Sequence, residues 1–145
     1  MHRKIDSILA ACAVVWAASG LHAALQAQVA AADGVYTEEQ ATRGKELFTK
    51  TCTECHGAEL NGMEDIIPPL TGEIFLKTWQ GKSVGDLFDQ ISKNMPALSP
   101  GSLKPDQVAD LVAYILSVSK YPAGTTALVP NLEALAPIKI AAPKK

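Results

Sequence analysis

The segment Cys52-Thr53-Glu54-Cys55-His56 is the most informative stretch of this 145-residue chain. Its C-x-x-C-H spacing is typical of covalent haem attachment. Two thiols three positions apart can reach the two vinyl groups on one haem edge, and the adjacent histidine is then held under the iron as an axial ligand. The pentapeptide therefore predicts one covalently bound haem c, with Cys52 and Cys55 as attachment points and His56 as a metal ligand.

A redox pair, a zinc site or a simple disulfide would each fit the two thiols less well than haem attachment does. A thioredoxin-like redox pair needs a βαβ context, and the sequence has no strand pattern. A structural zinc site needs four ligands, whereas beyond residue 32 the only cysteines and histidine are Cys52, Cys55 and His56. A simple disulfide would leave the neighbouring histidine unexplained.

A second axial ligand must come from another residue type, because beyond residue 32 His56 is the single histidine. A thioether is the natural remaining candidate. Met63 follows His56 too closely to cross to the opposite haem face, so we expect it to fill the core. Met95 ends a predicted helix and precedes Pro96, which fixes the backbone after it. The sequence therefore predicts His56 and Met95 as the two metal ligands.

The remaining pattern predicts helices and no strands. A capping box, Thr37 with Gln40, opens a helix that runs to about Lys50. A second apolar stripe predicts a helix over 83–94, and a third helix begins at Pro105, which suits the first helical position. We expect the long segment 57–82 to be a loop that is organised by the haem rather than by backbone pairing.

Taken together, residues 36–120 resemble a single-haem class I cytochrome c. The likeness rests on the capped helix before C-x-x-C-H, on the segment from Pro68 to Gly72, and on Met95-Pro96 ahead of a final amphipathic helix. It implies an all-α fold in which three to four helices wrap around one haem c. The arrangement is particularly similar to small periplasmic cytochromes that serve PQQ-dependent alcohol dehydrogenases.

The resemblance also implies roles for individual residues in cofactor binding. The carbonyl of Pro68 would accept a hydrogen bond from His56 Nδ1, which fixes the ring and raises its basicity. Leu70 would pack on the haem face. Trp79 would donate its indole N–H to a haem propionate; the alternative is a buried core tryptophan with some other acceptor.

A further implication concerns the helices. Gly44 and Phe48 would form the close crossing of the first helix with the last, near Tyr114, because a glycine lets two backbones approach.

The N-terminal 32 residues have the features of a secretory signal peptide: a positive start, an apolar stretch and small residues before the polar chain. Ala27, Ala31 and Ala32 each offer a small residue for cleavage, and a cut close to Asp33 is expected. If the segment stayed uncleaved it could anchor the protein in a membrane, since about 20 apolar residues span a bilayer.

The C-terminal residues 121–145 contain several prolines and are expected to form an extended tail. Four apolar residues of this tail are candidates for packing on the domain: Leu128, Leu132, Leu135 and Ile138.

The composition and ligand set together predict an electron carrier rather than an enzyme. Charge is nearly balanced, with 13 basic and 15 acidic side chains, so no basic field favours nucleic acid. Iron held by His56 and Met95 has no open position for a substrate. The expected partners are redox proteins, a periplasmic dehydrogenase and a terminal oxidase or another cytochrome. The alternatives are a haem-based sensor or weak peroxidase with a displaceable methionine, and a docked electron-transfer subunit of a quinoprotein dehydrogenase.

Overall fold

The computed structural model describes residues 29–63 and 66–143, and these residues form helices joined by loops. A short 3-10 turn at Ala31–Asp33 precedes six α-helices. In chain order these are α1 (Glu38–Thr51), α2 (Thr53–His56), α3 (Gly72–Trp79), α4 (Val84–Asn94), α5 (Pro105–Val118) and α6 (Leu132–Leu135). The described segments contain isolated bridges but no strand. The prediction of an all-α fold is therefore confirmed.

Helices α1 and α5 form the central pair of the molecule. A β-carbon at Gly44 would overlap the carbonyl oxygen of Asp110 and lie 2.9 Å from the Cβ of Tyr114. The rings of Phe48 and Tyr114 meet one turn further on, with centroids 5.4 Å apart. The expected crossing is thus present, and it depends on the missing side chain at position 44, since any other residue would push the two backbones apart.

Helix α4 begins with the capping box that its sequence predicts. The Ser83 hydroxyl accepts the amide of Asp86 at 3.0 Å, and the Asp86 carboxylate accepts the amide of Ser83 at 2.7 Å. The helix contacts both α5 and α6. Its last backbone bond runs from the Met95 amide to the Ile91 carbonyl, so the position of Met95 follows that of the helix.

The prediction that 57–82 is a loop is wrong for its last part, because α3 occupies Gly72–Trp79. Only Phe75 is fully buried in this eight-residue helix, and a helix of about two turns offers few positions from which a helical period can be read. Phe75 and Trp79 lie one turn apart, with ring centroids separated by 6.3 Å. This aromatic pair, rather than a long apolar stripe, packs α3 against the core.

The C-terminal tail is not simply extended, because it forms α6 and then pairs with two other segments. The Lys139 amide donates to the Val29 carbonyl at 3.0 Å, and the Ala31 amide donates to the Lys139 carbonyl at 2.8 Å. On its other side, the Ile140 amide donates to the Lys82 carbonyl at 2.9 Å. Residues 138–140 therefore lie between the first described residues and the turn before α4.

Burial of the tail residues differs partly from expectation. Leu128 and Leu135 are buried, and Ile138 is partly buried against the core. Leu132 is 45% exposed, so its predicted packing is wrong, and Ile140 is buried instead. The reason is local, since Leu132 is the first residue of a one-turn helix capped by Asn131.

The folded unit begins before residue 36. Ala31 and Ala32 are 0% and 5% exposed, so a cut directly before Asp33 would remove two buried residues. The other residues of the predicted signal peptide, 1–28, lie outside the described residues, as does the anchor alternative. Within the described ranges, no helix is long and apolar enough to cross a membrane.

Candidate haem site

The C-x-x-C-H segment continues directly from the end of α1. The Cys52 amide still donates to the Phe48 carbonyl, and the amides of Cys55 and His56 then turn back to the Cys52 carbonyl at 3.2 and 2.9 Å. Because residues three apart share one face of a helical turn, the thiols of Cys52 and Cys55 are neighbours. Cys52 is partly buried against the core, whereas Cys55 is exposed. The turn thus presents two sulfur atoms and an imidazole at the edge of the core.

Burial affects the acidity of the Cys52 thiol. Together with the nearby Cys55 thiol, it raises the pKa of Cys52 to about 11. Cys52 is therefore a neutral thiol at pH 7.

His56 packs its ring near Phe48, with centroids 6.4 Å apart. Its Nδ1 atom is buried and has no hydrogen-bond partner. Buried polar atoms are rarely left unpaired. Desolvation lowers the pKa of His56, so the neutral imidazole, which is the form that binds metals, is favoured.

The loop after His56 folds back beside it. The Gly62 amide donates to the His56 carbonyl at 2.9 Å. A β-carbon on Gly62, whose φ is +70°, would overlap the carbonyl of Ile67 and lie 3.0 Å from the carbonyl oxygen of Pro68. The Pro68 carbonyl is thus part of the same loop, but the implied bond from His56 Nδ1 to it is not formed.

Leu70 is held at the edge of the core by its backbone. Its amide donates to the Leu60 carbonyl at 2.8 Å, and its carbonyl accepts the Ser119 hydroxyl at 3.5 Å. The side chain is only partly buried. Leu70 therefore has an apolar surface that is available to a ligand.

The two methionines occupy different environments. Met95 directly follows α4 and packs, partly buried, against the core. Met63 pairs with Ile67 across a short turn and is 48% exposed, so the expectation that it fills the core is wrong. The Met63 backbone makes three hydrogen bonds with Ile66 and Ile67, while its side chain remains half exposed.

Trp79 lies at the end of α3 and is partly buried against the core. The Lys82 ammonium is 4.7 Å from the centroid of its ring, a cation–π distance. No described residue accepts a hydrogen bond from the indole N–H.

These residues fit a covalently bound haem. One turn carries two thiols and a half-buried imidazole, which suit thioether attachment and axial ligation. Partly buried apolar side chains that a porphyrin could cover pack against the core: Leu70, Leu76, Trp79, Met95 and Leu103. The described residues hold no cluster of three or more His, Cys, Asp or Glu suited to a bare metal ion.

Comparison with known proteins supports this interpretation. Residues 39–115 match the family described as cytochrome C oxidase, cbb3-type, subunit III. The chain belongs to this cytochrome c family. Membership in the family implies haem-based electron transfer with redox partners, and it covers the segment from α1 through most of α5.

The cytochrome c domain is also similar to a solved structure, the sulfane dehydrogenase SoxCD from Paracoccus pantotrophus. Sequence identity is 24% and the TM-score is 0.45, with 57% of this chain and 44% of the matched chain covered. This chain therefore spans less than half of the SoxCD chain that it matches.

Several contacts in this cytochrome c domain are not predicted by the sequence patterns. Gly62 makes room for the Pro68 carbonyl, and Ser119 ties α5 to Leu70. The pair of glycines Gly57 and Gly62, both with positive φ, is a signal that could have indicated a tight loop after His56. Nothing in the local sequence indicates the contact made by Ser119, because it joins residues 49 positions apart.

Proposed function

We propose that this cytochrome c domain carries one haem, attached through Cys52 and Cys55 and ligated by His56 and Met95, and that it transfers one electron at a time. The observation that carries the proposal is the single turn after α1, which presents both thiols and a half-buried imidazole together. When bound, the haem supplies an iron that alternates between the ferrous and ferric states.

Cys52 and Cys55 would hold the haem through two thioether bonds. Each bond would form by addition of S–H across a vinyl double bond, with sulfur on one carbon and hydrogen on the other, so that no oxidant is required. Two attachments three residues apart then fix the turn that carries His56.

Ligation by His56 and Met95 would fill both axial positions from within the chain. Because neither ligand has to leave when the electron arrives, little rearrangement accompanies transfer. A thioether ligand also raises the reduction potential. This ligand set favours the carrier over a sensor or a peroxidase, both of which need an open iron position.

Three further residues complete the proposed cofactor contacts. Coordination through Nε2 would fix the ring of His56 and bring Nδ1 to the Pro68 carbonyl, which already lies in the adjoining loop. Leu70 would pack on the porphyrin with its partly exposed side chain. Trp79 would donate its indole N–H to a propionate.

We also propose that the protein is exported to the periplasm, where c-type haem attachment occurs, and accepts electrons from a dehydrogenase. The cut that removes the signal peptide would then lie after Ala27 rather than before Asp33. Val29 and Ala31 are hydrogen-bonded to Lys139, so the mature chain must retain them to keep this pairing. The mass of the intact mature protein gives both its first residue and the number of haems.

The decisive test is an optical redox titration of the protein produced with a haem-attachment system. One haem per chain and a red charge-transfer band of ferric methionine–iron ligation are expected. A colourless product would refute the haem assignment. A missing band together with ready carbon monoxide binding would instead support the sensor alternative.

A further inference from the structure

We propose that the C-terminal tail is a positioning element for Met95: by holding the start of α4, it keeps the sulfur of Met95 on the iron. This inference rests on the proposed ligation by Met95. It assigns a role to a segment that lies outside the residues matched by the family.

The tail contacts the first turn of α4 at very short range. A β-carbon on Gly85 would lie 2.9 Å from the amide nitrogen of Ala136 and 3.1 Å from the carbonyl carbon of Leu135. The two backbones therefore touch, and Gly85 is buried by the tail at this point. The contact leaves no room for the start of α4 to move toward α6.

The same tail also caps the helix. The first amides of an α-helix have no partner within the helix itself. In α4, the Val84 amide donates to the Ile138 carbonyl at 2.8 Å. The neighbouring turn is bound as well, since the Gly81 amide donates to the Ile140 carbonyl at 2.9 Å. Residues 135–140 therefore fix both the helix start and the turn that leads into it.

Met95 is at the opposite end of this helix. An 11-residue helix is about 16 Å long. A tilt of a few degrees at the Val84 end therefore displaces Met95 by about 1 Å. Because the Met95 amide is bonded to the Ile91 carbonyl, the residue moves with the helix instead of compensating for the tilt.

The chain provides a matched pair of tail residues that separates positioning from general stability. Leu135 is 1% exposed and lies beside Gly85. Leu128 is 3% exposed, and its backbone is bound by Gln40 of α1 rather than by α4. Truncation of either leucine to alanine removes a similar buried side chain from the same tail, but only Leu135 belongs to α6, the helix that packs against α4. Leu135→Ala is therefore the variant expected to loosen the packing of the tail on α4.

The test measures how tightly exogenous imidazole binds the ferric holoprotein, since imidazole must displace the methionine. Leu135→Ala should tighten imidazole binding roughly tenfold, as expected for coupling between two sites, and weaken the methionine–iron band. Leu128→Ala should stay within about twofold of wild type. Equal shifts in the two variants, or no shift in either, would overturn the proposal.

Gly85→Ala provides the second variant in case Leu135→Ala does not fold. Alanine is the better helix former, so α4 itself is not weakened, but the added methyl group displaces Ala136. Tighter imidazole binding is again expected, and wild-type affinity would refute the proposal. If the wild-type protein itself lacked the methionine–iron band, the assignment of Met95 as a ligand would be refuted. Failure of the ligand assignment can therefore be distinguished from failure of the positioning role of the tail.

Discussion

The side-chain amide of Gln40 bonds both backbone groups of Leu128: its Nε2 donates to the Leu128 carbonyl at 3.0 Å, and its Oε1 accepts the Leu128 amide at 2.7 Å. Gln40 is one of the few buried polar residues among those described, and it joins α1 to the tail. The Gln40 side chain thus gives Leu128 the two backbone hydrogen bonds that a neighbouring strand would otherwise supply.

Replacing this amide should therefore destabilise the fold. Gln40→Leu leaves the amide and carbonyl of Leu128 buried without partners, and each orphaned group costs about 1–3 kcal/mol. We expect the free energy of unfolding to fall by about 2–6 kcal/mol in denaturant titrations. Gln90→Leu, on the exposed side of α4, is the control and should change it little. Equal stability of Gln40→Leu and wild type would contradict the prediction.

The crossing of α1 and α5 makes Gly44 intolerant of any side chain. Gly44→Ala places a methyl group against the Asp110 backbone, which cannot rotate away as a side chain could. Overpacking of this kind costs about 1–3 kcal/mol, although alanine by itself favours a helix. Thermal unfolding should show the loss, whereas Lys45→Ala at the exposed neighbouring position should not.

The two methionines should differ sharply in their effect on the haem. Met95→Ala should remove the red charge-transfer band and lower the reduction potential by roughly 0.2 V, about a quarter of the span that axial ligands set. Met63→Ala should leave both unchanged because that side chain is exposed. A redox titration of both variants measures this difference, and an unchanged potential in Met95→Ala would exclude it as the ligand.

The cap of α4 should make stability depend on acid pH. Hydrogen bonds from the Ser83 backbone and side chain lower the pKa of Asp86 below its ordinary value of 3.8. A lowered folded-state pKa means that the stabilisation is complete above about pH 4 and is lost as pH falls through the folded value.

Asp86→Asn mimics the protonated state and isolates this effect. At pH 7 it should reduce the free energy of unfolding by about 0.5–1 kcal/mol, within the range for helix caps. The difference from wild type should shrink below pH 4, because wild type then carries a neutral group too. Denaturant titrations across pH 2–7 measure it, with Asp89→Asn on the same helix as control. A difference in the free energy of unfolding between Asp86→Asn and wild type that stays constant over this pH range would contradict the predicted pH dependence.

Much of this protein is determined by local sequence. The spacing of Cys52, Cys55 and His56 places two thiols and an imidazole on one turn, because residues three apart share a helical face wherever the helix lies. The caps at Thr37 and Ser83 fix the starts of α1 and α4 for a similarly local reason: each side chain bonds an amide three residues away.

The conformation of the remaining segments depends on the tertiary structure. Helix α3 has only eight residues, which is too short a stretch to distinguish a helical period from a loop. Exposure of Met63 follows from a short turn that no spacing rule predicts. The tail is the clearest case: its residue 139 meets residues 29 and 31, and contacts at such separations arise only when the whole chain has collapsed.

The sequence by itself thus determined the C-x-x-C-H turn and the beginnings of α1 and α4, since both depend on neighbours within four residues. Only the tertiary structure decided that Gly85 meets Ala136 and that Gln40 binds Leu128. Those pairings are set by which surfaces remain to be buried once α1, α4 and α5 have packed, and no single segment carries that information.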